Sequence, residues 1–177
     1  LDVLRKRIGY VQQEPFLFSD TLENNLCYGL EHPDKTAMLN AAKTAQFDKD
    51  VKDFPKGYET IIGERGITLS GGQKQRASIT RAIVIEPAIL LLDDSFSSVD
   101  TQTEEEILKN LKSFMKGRTS ILISHRVSTV KDADKIAVIQ NNTITEEGTH
   151  EELIALGGFY SDVYHKQLLE KELEEIN

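Results

Sequence analysis

Cysteine is nearly missing: Cys27 stands alone in 177 residues, which excludes an internal disulfide and a multi-cysteine metal site. A solitary cysteine of this kind is expected to be a small buried apolar side chain in a reducing compartment. Positive charge is also short. Lys and Arg total 21 against 29 Asp and Glu, a net charge of −8, and that balance opposes binding to a nucleic-acid backbone through bulk electrostatics. Long hydrophobic runs are lacking too. Apolar stretches such as 88–92 fall far short of the ~20 residues needed to cross a bilayer. The first residues carry no signal-peptide pattern, so a soluble chain is expected. No glycine is followed by lysine, and the GK[ST] loop that cradles nucleotide phosphates is therefore missing. The length suits one domain with a real core, or a large domain that has lost a piece.

What is present is an alternation of short apolar runs and helical stretches. Residues 8–11 read as a β-type run feeding a loop that carries Gln13 and is stopped by Pro15. From 21 to about 54 the chain favours helix formers, as in TLENNL and DKTAMLNAAKTAQF, with Pro33-Asp34 marking a helix entry. Ser70 is a natural N-cap for a long helix expected over about 73–85 and ended by Pro87. The apolar runs 88–92, 121–123 and 135–139 fit strands covered on both faces, the pattern of a parallel sheet with helices between. A helix over 103–116 places Ile107, Leu108, Leu111 and Phe114 or Met115 on one face, and Asn141-Asn142 suggests a tight hairpin. A last helix, 160–176, sets Tyr160, Val163, Tyr164 and Leu168 on one side and ends in acid-rich EKELEEIN, read as a solvated helix end. There is no internal repeat and no low-complexity linker.

Two stretches carry chemistry. In LSGGQKQRASITR (69–81), Ser70, Gly71, Gly72 and Gln73 gather a hydroxyl, an amide side chain and unpaired backbone N–H groups at a helix start, where the dipole favours an anion. The bland alternative is a helix cap alone. In AILLLDDSFSSVD (88–100), Asp93 closes a hydrophobic strand at the sheet edge where α/β folds bind ligands. A carboxylate there suits Mg²⁺ completed by waters and phosphate oxygens. Asp94 points another way and is placed to orient or deprotonate a water. Two acids at a strand end also occur as plain helix caps. His125 ends a second strand and is able to donate to a terminal phosphate, although a lone histidine there is more often structural.

Taken together these residues resemble the ATPase domain of ATP-binding cassette (ABC) transporters over nearly the whole chain. YVQQEPFLF looks like the Q-loop with Gln13 as its glutamine. LSGGQ is the family signature, ILLLDD the Walker B strand, SSVD the D-loop with Asp100, and SHR the switch-histidine segment. ADKIAVIQNNTITEEGTHEEL resembles the closing segment of such a domain, TIIGERG resembles the short segment that exporters place against their membrane helices, and TLENNLCYG has an exporter look. The resemblance implies an α/β fold, a three-layer P-loop NTPase (RecA-like) core with a mostly parallel sheet and an inserted α-helical subdomain. It divides the chain into core with Q-loop (1–19), helical subdomain ending in the signature helix (20–84), core with Walker B, D-loop and switch histidine (85–159) and a C-terminal helix (160–177). In this family the phosphate loop and the adenine-stacking aromatic precede the Q-loop, so the N-terminal strands and the P-loop are expected to lie before Leu1.

The family likeness also implies roles. ATP and Mg²⁺ are the cofactors, with Asp93 and Gln13 at the metal and with Asp94, Gln13 and His125 catalytic. Leu69, Ser70, Gly71, Gly72, Gln73 and Asp100 would bind nucleotide. Family cassettes pair head to tail, so the signature would act on ATP held by a second nucleotide-binding domain. A transmembrane domain is the other partner, at the cytoplasmic face of the cell membrane, and nucleic acid is not a partner. The family usually has glutamate where this chain has Asp94, which implies a weak or silent site of the kind found in one chain of two-chain exporters. Asn142 stands where many relatives have glycine. Two rival functions remain open at this level: a soluble cassette protein acting on DNA or ribosomes, and a regulatory module that holds ATP with little hydrolysis.

Overall fold

The computed structural model describes residues 1–63 and 66–176 and divides into two compact units, 1–123 and 124–177. The first unit begins with a single helical turn, α1 (Asp2–Arg5), and continues through β1 (Ile8–Val11), α2 (Leu22–Cys27), α3 (Lys35–Thr44), α4 (Asp48–Val51) and a 3₁₀ turn (Gly57–Glu59). It is completed by α5 (Gly71–Ile83), β2 (Ile89–Asp93), α6 (Thr101–Met115) and β3 (Thr119–Ile123). Strands β1, β2 and β3 lie side by side and parallel, with Tyr10 level with Leu91 and Leu91 level with Ile121.

The period of two along each strand decides which side chains are covered. Val11, Leu90 and Leu92 point into a core shared with Ala77 and Ile79 of α5 and Ile107 and Leu111 of α6. Gly9 sits in the same inward row because α5 passes against β1. A Cβ on Gly9 would lie 2.4 Å from the Ala82 carbonyl oxygen and 2.9 Å from Pro87 Cγ. Gly9→Ala is therefore expected to destabilise the full-length protein by roughly 1–3 kcal/mol, measured as a lowered thermal midpoint. The opposite row is different from the expectation of strands covered on both faces. Tyr10, Ile121 and Ile123 are 48%, 50% and 56% exposed, because the buried cluster gathers its helical side chains over the inward row alone.

Helix starts in this unit follow their caps. Thr21 Oγ1 accepts from the Asn24 amide at 3.2 Å ahead of α2, and Asp34 Oδ1 accepts from the Ala37 amide at 3.0 Å ahead of α3. Asn25, 1% exposed, is fully engaged: its Oδ1 accepts from the Phe18 amide at 2.7 Å, and its Nδ2 donates to the Phe18 and Thr21 carbonyls. Cys27 is buried, as expected, and burial pushes its thiol above the ordinary range, with the negative charge of Glu23 adding to the effect. Of the TIIGERG segment, Glu64 and Arg65 lie outside the described residues.

The second unit holds α7 (Val127–Val130), the antiparallel pair β4 (Ile136–Gln140) and β5 (Thr143–Gly148), α8 (His150–Leu156) and α9 (Phe159–Ile176). The apolar run at 135–139 thus joins a hairpin rather than the parallel sheet. Asn141 and Asn142 both take positive φ, 50° and 62°, as a two-residue turn matched to strand twist requires. Asparagine tolerates that region better than most residues, which is why Asn142 closes the turn without glycine. Val127, Ile136, Leu153 and Tyr160 form this unit's core. The Tyr160 hydroxyl lies 2.8 Å from His150 Nδ1, and burial pushes its pKa up to about 12. Leu168, placed on the same side of α9 as Tyr160, is 39% exposed. Asn177, the last residue of the acid-rich tail, lies outside the described residues.

Candidate functional site

The carboxyl end of β2 brings four predicted or unpredicted polar groups to one edge. Asp93 is the last residue of the strand, and the Tyr10 hydroxyl donates to its Oδ2 at 3.3 Å from the neighbouring strand. Partial desolvation and then the Asp93 charge raise the Tyr10 phenol above its ordinary range. Asp94 follows in a left-handed conformation, φ 43°, with its amide donating to the Ile123 carbonyl at 2.8 Å. The two adjacent carboxylates thus have different partners, Tyr10 for Asp93 and Gln13 for Asp94. Gln13, in the loop after β1, donates from Nε2 to Asp94 Oδ2 at 3.2 Å. Gln13 Oε1 is the other end of the same amide and is an oxygen acceptor.

These donors suit a hard cation. Asp93, Asp94 and Gln13 offer oxygen ligands only, and among the described residues no cluster of three His, Cys, Asp or Glu could hold a metal by itself. A site with one or two carboxylates, completed by water and phosphate oxygens, matches Mg²⁺ rather than Zn²⁺ or a protein-caged Ca²⁺.

The second predicted cluster is built on the start of α5. Ser70 Oγ accepts from the Gln73 amide at 3.3 Å while Gln73 Oε1 accepts from the Ser70 amide at 3.0 Å, a complete capping box. The plain cap weighed for this stretch is therefore present. It leaves other N–H groups of the first turn, among them those of Gly71 and Gly72, as the donors available to an anion. Leu69 is buried in the core cluster and has only backbone to offer a ligand. The two glycines answer to a neighbour within the chain. A Cβ on Gly71 would stand 3.1 Å from the Ser98 side chain, and one on Gly72 would stand 2.9 Å from the Ser98 carbonyl oxygen. Asp100 caps α6, accepting from the Thr103 amide at 2.9 Å, and its bonds to Thr103 hold its carboxyl below the usual range.

Several bonds of this region join segments that are distant in sequence. Gln75 is 1% exposed, donates to Ser97 Oγ at 2.8 Å and accepts from the Ser98 amide at 2.9 Å. Asp50 of α4 receives Arg76 through Nε and Nη2, at 2.8 and 2.7 Å, and also Gln73 Nε2 at 3.3 Å. A half-buried bidentate pair links positions 26 apart in sequence, and only the fold reveals it. Gln75 and Arg76 belong to the KQR that follows LSGGQ, a run that strengthens the family likeness without revealing their partners.

His125 lies in the second unit. Its side chain is exposed while its backbone is clamped: Gln167 of α9 donates to the His125 carbonyl at 2.8 Å and accepts from the Val127 amide at 2.9 Å. Ser124 Oγ adds a bond from the Arg126 amide at 3.0 Å.

A surface near Gln13 is rich in aromatics. Phe16, Phe18 and Tyr28 are 63%, 38% and 67% exposed, with ring centroids 5.1 Å apart for Phe16–Phe18 and 4.7 Å for Phe18–Tyr28. With Tyr10, Ser78 and Arg81 they line a cavity of about 270 Å³. Arg81 donates to the Phe16 carbonyl at 2.9 Å, and burial pulls its guanidinium below the ordinary value.

Comparison with known proteins gives a consistent picture. The family model described as "ABC transporter" matches residues 1–97. A probable multidrug resistance ABC transporter ATP-binding/permease protein of Bacillus subtilis is 47% identical over 169 residues, covering 96% of this chain and 29% of that protein. An ATP-dependent lipid A-core flippase of Legionella pneumophila is 44% identical over 176 residues, covering 99% of this chain and 30% of the flippase. The solved structure of a bacterial Atm1-family ABC exporter with ATP bound superposes with a TM-score of 0.87 at 39% identity, over 92% of this chain and 29% of that one. The chain thus spans less than a third of the length of these relatives.

Proposed function

This chain belongs to the ABC transporter family, and we propose from that premise that it serves in an ATPase domain driving export across a membrane, paired head to tail with a second such domain. The observation that carries the reading is the edge of β2, where Gln13 and Tyr10 each hold one of two adjacent carboxylates. Phosphoryl transfer asks mainly for positioning and for charge stabilisation, and little covalent chemistry from the protein.

In this proposal Asp93 holds Mg²⁺, which when bound would neutralise charge on the phosphates. Gln13 keeps Asp94 directed at the attacking water through Nε2 and leaves Oε1 for metal or water. Asp94 accepts the water's hydrogen bond. His125, its backbone held by Gln167, donates to the terminal phosphate. At the start of α5 the N–H groups of Gly71 and Gly72, with the Ser70 hydroxyl, the Gln73 side chain and the positive end of the helix dipole, face the partner's nucleotide. Asp94, in place of the family's glutamate, sets its carboxylate back by about one methylene, and a displacement of roughly 1 Å can cost on the order of 100-fold. We therefore place this chain as the weaker-site half of a two-chain exporter. The transmembrane partner is assigned to the aromatic surface of Phe16, Phe18 and Tyr28, an exposed apolar patch next to the loop that carries Gln13.

A second reading, ATP held with little turnover, draws on the same short Asp94 side chain. Phosphate release by the full-length protein and its partner in lipid vesicles tests both. Steady hydrolysis of MgATP that falls with Asp93→Asn supports the ATPase domain. Binding of MgATP without release, in single-turnover conditions, supports the holding module, and failure to bind MgATP contradicts both.

A further inference from the structure

We propose that Gln75 is a positioning residue that locks the loop after Asp94 to the start of the signature helix, so that the two sites of this chain move as one piece. The inference rests on the ATPase reading above. Gln75 lies one turn into α5 and is 1% exposed. An apolar side chain could fill that position without the cost of burying an amide, a cost that is offset only when both ends of the amide are bonded. Both are bonded, and both to the same short loop: Nε2 donates to Ser97 Oγ at 2.8 Å and Oε1 accepts from the Ser98 amide at 2.9 Å.

The loop is in turn tied to the carboxylate edge. The Ser97 amide donates to the Asp94 carbonyl at 3.3 Å, and Phe96 and Val99 anchor the turn in the core at 3% and 2% exposure. From the other side, Gly71 and Gly72 lie so close to Ser98 that neither accommodates a Cβ without movement of its neighbour. A continuous series of contacts therefore runs from Asp94 through Ser97 and Ser98 to Gln75 and the first turn of α5. Packed groups of this kind pass small displacements on, because close-packed regions do not deform freely. In the head-to-tail arrangement, Asp94 faces one nucleotide and Ser70 to Gln73 face the other. Gln75 then sets how faithfully the occupancy of one site aligns the signature at the second.

The test uses the full-length protein with its partner. Gln75→Leu keeps the volume and removes both bonds. Turnover at saturating MgATP is expected to fall about tenfold, within the usual range for coupling between sites, with KM for MgATP little changed. Gln75→Glu offers two acceptor oxygens to the Ser98 amide and the rotated Ser97 hydroxyl, and is expected to recover most of the turnover. A merely structural glutamine would lower the thermal midpoint in both variants without separating turnover from KM. Native turnover in Gln75→Leu, a loss carried wholly by KM, or a Gln75→Glu variant as slow as Gln75→Leu overturns the proposal. If Gln75→Leu does not fold, Ser97→Ala decides: a selective fall in turnover supports the lock and native turnover removes it. An unsubstituted protein without hydrolysis removes the ATPase reading and this proposal together, whereas normal hydrolysis indifferent to Gln75 removes this proposal alone.

Discussion

Asp94→Glu, placed in the full-length protein with its partner, is expected to raise steady-state hydrolysis by roughly 10- to 100-fold at this site. Gln13 already holds the Asp94 carboxylate at 3.2 Å, and the Ile123 carbonyl already holds its amide at 2.8 Å, so the supporting bonds exist and the reach of the side chain is what is short. One more methylene carries the carboxylate outward while the backbone bond stays. The substitution also has a cost that can be measured separately. Asp94 sits at φ 43°, a region that aspartate tolerates better than glutamate. The thermal midpoint should therefore drop slightly while the rate rises. Phosphate release and thermal denaturation on the same preparation check the pair of effects. An unchanged rate with ATP binding intact would place the bottleneck elsewhere, in the partner's signature or in the second domain.

Gly72→Asp is expected to cost more than 100-fold in hydrolysis at the composite site, with Gly72→Ala losing about tenfold. The two substitutions share a steric effect, since any Cβ there comes within 2.9 Å of the Ser98 carbonyl oxygen and presses the loop that Gln75 holds. Only aspartate adds negative charge at the helix end where the dipole would attract phosphate. Asp50 takes Arg76 through Nε and Nη2, which leaves Nη1, 3.4 Å from the new Cβ, to offset part of that charge, so the excess loss in the aspartate variant is a lower bound on the repulsion. The ratio between the two variants thus isolates electrostatic repulsion from packing. Equal losses in the alanine and aspartate variants would mean that the signature turn works by packing against Ser98 and not by facing an anion.

How far the sequence was legible depended on the range of the interactions. Elements set by local chemistry were readable: the Ser70 cap, the helix entry at Asp34, the strand at 8–11 and the Asn141-Asn142 turn all follow from side chains bonding their own neighbourhood. The α5 start at Gly71 rather than Gln73 is a small miss with a local cause, because glycines were read as part of the loop although they already lie inside the capping box. The exposed row of Tyr10, Ile121 and Ile123 was not readable, since an apolar run does not reveal whether a second layer of helices covers it. The two carboxylates were readable as a site because they end an apolar strand. The partners of the site were not. Tyr10 with Asp93, Asp50 with Arg76, Gln75 with Ser97 and Gln167 with His125 each join distant segments, and no local period marks them. The hairpin status of 135–139 was decided by its immediate successor at 143–148 and by the turn between them.

The most direct test of the central claim is a crosslink. Ser70→Cys, in a full-length protein stripped of other cysteines including the buried Cys27, is paired with a second domain carrying one cysteine in its phosphate loop. The account predicts a disulfide between the two chains that forms in MgATP, is lost without nucleotide and is absent when Gly72→Asp is added. Crosslinking confined to a single chain, or equal with and without ATP, would contradict the head-to-tail assignment of this signature to its partner's nucleotide.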